Sequence, residues 1–108
     1  MHEAINAAKA GDITLLRQII NENAEFDARD DDGRAPLICS AKEGHTGCVR
    51  LLVDSKANLE TKDTRYGYTA LVYAVQGGHT ECTQLLVNAK ADVDAAGNGG
   101  YTASIWAA

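Results

Sequence analysis

The chain is poor in the residues that build large aromatic cores or break helices. Pro36, Phe26 and Trp106 are each the single residue of their type in 108. Its interior must therefore be made mainly of Ala, Leu, Val and Ile, which suit helices packed at close range. No run of 18 apolar residues occurs, so no membrane-spanning helix is expected. No Lys/Arg cluster occurs either, and 15 acidic against 10 basic residues give a net charge of −5. A nucleic-acid binder needs a basic face to displace counterions, so that class is excluded. The N-terminus lacks a basic-then-apolar signal, and no Asn-x-Ser/Thr sequon is present. These features lead us to expect an intracellular, cytoplasmic protein.

What the chain does contain is a repeat. Gly33-Arg34-Ala35-Pro36-Leu37, Gly44-His45-Thr46-Gly47-Cys48 and Leu51-Leu52-Val53 return as Gly67-Tyr68-Thr69-Ala70-Leu71, Gly78-His79-Thr80-Glu81-Cys82 and Leu85-Leu86-Val87. Backwards by 33, Gly44-His45 falls on Gly11-Asp12; forwards by 33, Gly67-Tyr68-Thr69-Ala70 becomes Gly100-Tyr101-Thr102-Ala103. A unit of this length cannot bury its own apolar face and must stack on its neighbours. The register makes 1–108 a single domain of four units: 1–29 without its leading turn, 30–62, 63–96, and a partial 97–108.

Each unit reads as turn, helix, turn, helix, loop. Asp32-Gly33 marks a turn, and Pro36 opens a helix at the position where its missing N–H costs nothing. Leu37, Ile38, Ser40 and Ala41 form a helical face ending at Gly44, and Cys48, Val49, Leu51 and Leu52 repeat at helical spacing after it. Strands of any length are absent from this pattern, which predicts an all-α fold.

Ala35-Pro36-Leu37-Ile38-Cys39-Ser40-Ala41 and Thr69-Ala70-Leu71-Val72-Tyr73-Ala74 resemble the T-P-L-H-x-A signature of ankyrin repeats. The Gly-His step, the Leu-Leu pair and Ala91-Asp92-Val93-Asp94 are similar to the rest of that repeat. The resemblance spans the chain. It implies an ankyrin-repeat solenoid of about three and a half repeats, with L-shaped helix pairs and projecting hairpin-like finger turns. It also implies a protein-binding scaffold without catalysis.

Departures from the signature concern stability. Its His is Ile5, Ile38, Val72 and Ile105 in the four units, so apolar packing replaces a polar link between neighbours. The glycine the family places after the second helix is Asn23, Lys56 and Lys90 here. A left-handed helix end favours Gly, and a longer side chain there is strained. The partial last unit leaves Ile105 and Trp106 without a covering helix, so Tyr101 to Ala108 is expected to fray or to be covered by another molecule.

Candidate chemistry is thin. Cys39, Cys48 and Cys82 form no C-x-x-C pair, and an odd count argues against a disulfide framework. Cys48 and Cys82 share one repeat position and read as small buried hydrophobes. His45 and His79 share another, after a turn glycine, and read as loop-bracing hydrogen-bonding groups. The Asp30-Asp31-Asp32 run fails the calcium-loop test: counting back from Gly33, position one is Ala28 and position twelve is Cys39. Gly97-Asn98-Gly99-Gly100 lacks the Lys-Ser/Thr of a phosphate loop. No nucleophile set is present, so no enzyme, cofactor or metal is expected.

What remains is surface. In an ankyrin-like stack the finger tips and the exposed side of each first helix line a concave groove. The x of the signature falls on Asn6, Cys39, Tyr73 and Trp106. The finger positions are Asp31, Asp32 and Arg34, then Arg65, Tyr66 and Tyr68, then Asn98 and Tyr101. Tyr66, Tyr68, Tyr73, Tyr101 and Trp106 are expected to form one aromatic strip, the residue type enriched at binding hot spots. Tyr68 and Tyr101 can equally pack finger against finger. The acidic run is either a solvated loop or a contact patch for a basic partner. Two functions follow: a module that binds a protein partner through this face, or a structural segment of a longer array whose exposed end contacts other repeats or a second copy. As a free module the chain is expected to be a monomer or a weak homo-oligomer through its C-terminal end.

Overall fold

The computed structural model describes residues 3–22, 26–97 and 100. Among these residues six helices make up three pairs: α1 (Glu3–Ala10) with α2 (Ile13–Asn21), α3 (Pro36–Glu43) with α4 (Thr46–Asp54), and α5 (Ala70–Gln76) with α6 (Thr80–Asn88). First helices pack on first helices and second on second, so the pairs stack as two layers. Among the described residues there is no strand. This is an all-α repeat solenoid, and the reading of a partial fourth unit at 101–108 lies outside the described residues.

The repeat register becomes core register. Ile5, Ile38 and Val72, the three residues standing at the signature His, are each 1% exposed and carry the apolar packing between units. Leu52 and Leu86, equivalent on α4 and α6, are completely buried, as are Ala41 and Ala74 on the short first helices. Small residues there let neighbouring helices approach. Each fully buried Leu contributes about 2 kcal/mol by removal from water. Cys48 and Cys82 are buried thiols, whereas the same position in the first unit is Leu15, exposed at the end of the stack.

Helix starts differ in how they are satisfied. Pro36 stands at the first position of α3, while the Ala35 before it offers no side-chain cap. Its counterpart Thr69 accepts from the Val72 amide, and Asp12 accepts from the Leu15 amide at 3.1 Å. The ends of α4 and α6 carry the expected left-handed residues, Lys56 at φ 68° and Lys90 at φ 74°. Behind each, the next amide reaches five residues back: Ala57 to the Leu52 carbonyl and Ala91 to that of Leu86, both at 3.0 Å. That pairing closes the helix end and holds the lysines in place.

The histidines do more than brace their own loops. His45 Nε2 lies 2.9 Å from the Lys9 carbonyl and His79 Nε2 lies 3.1 Å from the Lys42 carbonyl, each crossing into the preceding unit. A carbonyl only accepts, so that ring nitrogen carries the proton. The ring sits against the left-handed glycine of the earlier turn. A methyl on Gly11 would come within 2.7 Å of the His45 ring, and one on Gly44 within 2.5 Å of the His79 ring. The polar link absent from the first helices is thus made at the start of the second.

Candidate interaction surface at the finger turns

Two fingers are built the same way around an aspartate, half-buried in the first and buried in the second. Asp30 Oδ1 accepts from the amides of Asp32 and Arg34, at 2.9 and 3.0 Å. Asp63 Oδ1 accepts from those of Tyr66 and Tyr68, at 3.2 and 2.9 Å. The backbone closes each loop, Asp30 N to Arg34 O and Asp63 N to Tyr68 O, so the second finger holds one extra residue. The fingers also join each other through the Thr64 amide and the Asp32 carbonyl at 2.8 Å. Sequence reasoning missed Asp63. The signal was there: Asp30 and Asp63 are 33 apart, three and four residues before a finger glycine.

Asp63 is 3% exposed and anchors a polar network between the units. Its Oδ2 accepts a short hydrogen bond from the Tyr73 hydroxyl. Arg34 donates to the same hydroxyl at 3.3 Å, and its guanidinium carbon Cζ lies 5.5 Å from the Tyr73 centroid. Arg34 Nε is buried without a hydrogen-bond partner, its charge balanced by Asp63 Oδ2 at 3.6 Å. Burial, with the hydrogen bond to Asp63, pushes the Tyr73 phenol up to about 12, so it stays a neutral donor. Burial likewise pushes the Cys39 thiol up to about 11, which leaves it unreactive.

An aromatic ladder climbs from this root to the finger tip. Tyr73 and Tyr68 meet edge to face with centroids 5.4 Å apart, and Tyr68 and Tyr66 are tilted at the same separation. Each such pair contributes about 0.5–1.5 kcal/mol beyond its buried area. Tyr66 is 43% exposed at the tip, with the Arg65 guanidinium 5.5 Å from its ring centroid. Tyr68 also packs against Gly97, where a methyl would run into its ring.

The nine expected contact residues therefore separate. Asp31, Arg65 and Tyr66 are exposed; Asp32, Arg34 and Tyr68 are half-buried; Tyr101 and Trp106 lie outside the described residues. Tyr73 requires a correction. It is only 5% exposed, set against Arg34 of the preceding finger and Tyr68 and Asp63 of its own, and Cys39 at the same signature position is 2% exposed. Of the described residues at the x position, Asn6, Cys39 and Tyr73, Asn6 is the exposed one. The strip is a ladder whose lower rungs are internal. Among the described residues no group of His, Cys, Asp and Glu is arranged to hold a metal, and no helix is long and apolar enough to cross a membrane.

A family model described as ankyrin repeats (3 copies) matches residues 4–97 and again 56–108. The chain belongs to the ankyrin-repeat family. Ankyrin repeats generally mediate protein–protein interaction. Among similar proteins, ankyrin repeat and SAM domain-containing protein 6 of Mus musculus is 36% identical over 98 residues, 90% of this chain and 11% of the relative. Cortactin-binding protein 2 of Dasypus novemcinctus is 41% identical over 58 residues, 53% of this chain and 4% of the relative. The Rattus norvegicus form is 38% identical over 66 residues, 60% of this chain and 4% of the relative. The chain spans a small part of each relative's length.

Proposed function

We propose that this ankyrin array is a non-catalytic module that binds a protein partner along its finger edge and the adjoining groove. The observation that carries the reading is Tyr66, an exposed aromatic flanked by Arg65 and backed by Tyr68 on a rooted ladder. Tyr and Arg held rigidly lose little entropy on contact, which is what concentrates binding energy in a few residues. Asp31 and Asp32 on the neighbouring finger would steer a basic segment of the partner, acting on association rate more than on affinity. One relative is named for binding cortactin, in keeping with a protein partner. Three free, buried cysteines accord with a reducing, intracellular setting.

The test is affinity capture with the wild-type chain and a Tyr66→Ala variant as paired baits, followed by titration of the captured protein. Tyr66→Ala should weaken that complex by more than about 1 kcal/mol with helicity unchanged. Lys9→Ala and Glu43→Ala, at the ends of the first helices, should change it far less. Equal affinity of Tyr66→Ala for a partner that binds the wild type would shift the reading to a structural segment of a longer array.

A further inference from the structure

The groove beside the acidic first finger carries charge of the opposite sign. Lys9 and Lys42 share one repeat position in the last turns of α1 and α3. With Arg34 they wall a cavity of about 260 Å³, whose lining Cys39 and Glu43 complete, so three cations face one carboxylate. The cations keep donors to spare. The nearest carboxylates stand at 3.6 Å, beyond hydrogen-bonding distance: Asp30 from Lys9, Glu43 from Lys42, and Asp32 and Asp63 from Arg34. Asp30 is committed to two finger amides, and Asp63 to two more and the Tyr73 hydroxyl. Of the five N–H donors of the Arg34 guanidinium, one makes a hydrogen bond among the described residues, to the Tyr73 hydroxyl.

We infer that this cavity receives the carboxylate side chains of an acidic segment in the partner. The Arg34 side chain is 14% exposed, so its contacts are less screened than those of a lysine head in open water. The histidine bonds to the Lys9 and Lys42 carbonyls pin the backbone from which both lysines project. A carboxylate suits the cavity better than a phosphate dianion, because Asp30, Asp32 and Glu43 stand beside the cations and would repel a second negative charge. The volume falls below the roughly 300–1,000 Å³ of cavities that enclose drug-sized ligands, which suits single side chains. On α5 the equivalent position is the uncharged Gln76, so the cationic stretch ends with the second unit. The inference rests on partner binding at this face and adds the sign of the ligand there: acidic across the ends of α1 and α3, basic beside Asp31 and Asp32.

The probe is a hexaglutamate peptide with blocked ends, titrated at low salt into the isotope-labelled full chain. The chain carries a net charge of −5, so an acidic peptide has no general reason to gather on it. Shifts should centre on the amides of Cys39, Lys42 and Glu43 and on the Arg34 Nε–H, with saturation on the order of millimolar peptide. Hexaglutamine should move none of them. A single solvated lysine carries little, so both are reversed together: Lys9→Glu/Lys42→Glu should bind at least about tenfold more weakly. If that chain does not fold, Lys9→Gln/Lys42→Gln should still weaken binding about threefold. The Tyr66→Ala chain should bind hexaglutamate as the wild type does, which keeps a failure here distinct from a failure of the finger-edge reading. Equal shifts with hexaglutamine, equal binding by the wild-type and lysine-substituted chains, or larger shifts with inorganic phosphate at the same concentration would overturn the inference.

Discussion

At the scale of single residues, the clearest strain sits at Lys56 and Lys90. A left-handed conformation costs an L-residue roughly 1–2 kcal/mol, while Gly loses about 0.5–1 kcal/mol more entropy on folding than Ala. Lys56→Gly and Lys90→Gly should each raise stability by up to about 1 kcal/mol, seen as a higher denaturation midpoint; a lower midpoint in both would contradict this. Tyr73 behaves in the opposite sense. Tyr73→Ala should cost about 3 kcal/mol or more by leaving a cavity, and Tyr73→Phe about 1–3 kcal/mol by leaving the Asp63 carboxylate short of a donor. Thermal denaturation of the two variants separates packing from hydrogen bonding. The lysines were legible because a register position with a missing glycine forces the conformation. Tyr73 was not, since sequence spacing names the side of a helix without saying that Arg34 and Tyr68 of the fingers fold against it.

At the scale of elements, the turns that join helices also join units. Gly44→Ala should cost more than His79→Ala, because it adds left-handed strain to a collision with the His79 ring. In the double variant the collision is gone, so the two costs should sum to more than the pair shows. Urea denaturation of the four proteins measures the cycle, and strict additivity would mean that the ring and the glycine are independent. The first finger gives a pH effect. Burial alone would raise the Asp30 carboxyl, but the amides of Arg34 and Asp32, with the charges of Lys9 and Arg34, outweigh it and hold the group below its usual range. Its stabilisation is therefore complete above the unfolded value of about 4 and is lost as pH falls through the lower folded value. Asp30→Asn should remove part of the acid-side loss of stability, read as a flatter midpoint-against-pH curve. Helix pairs and finger turns were legible here because turn glycines recur in every unit and the Leu-Leu pair in both complete ones. The histidine link was half legible: its shared position suggested hydrogen bonding, but nothing local pointed to a carbonyl 36 or 37 residues away.

At the scale of the molecule, stability comes from each unit meeting only its neighbours, so local changes remain local unless they touch a junction. The Arg34–Tyr73–Asp63 network is such a junction, joining one finger to the next unit's first helix and finger. The one-residue difference between fingers, closed over Asp30–Arg34 in one and Asp63–Tyr68 in the other, has a consequence for any elongated ligand. An array of identical tips presents the same contact at every step, and a linear partner could shift along it from one equivalent placement to another. The longer finger breaks that translational equivalence and supplies a fixed origin. A ligand that reads Tyr66 is then indexed to one position on the array, and sliding by a unit exchanges an aromatic contact for an acidic one.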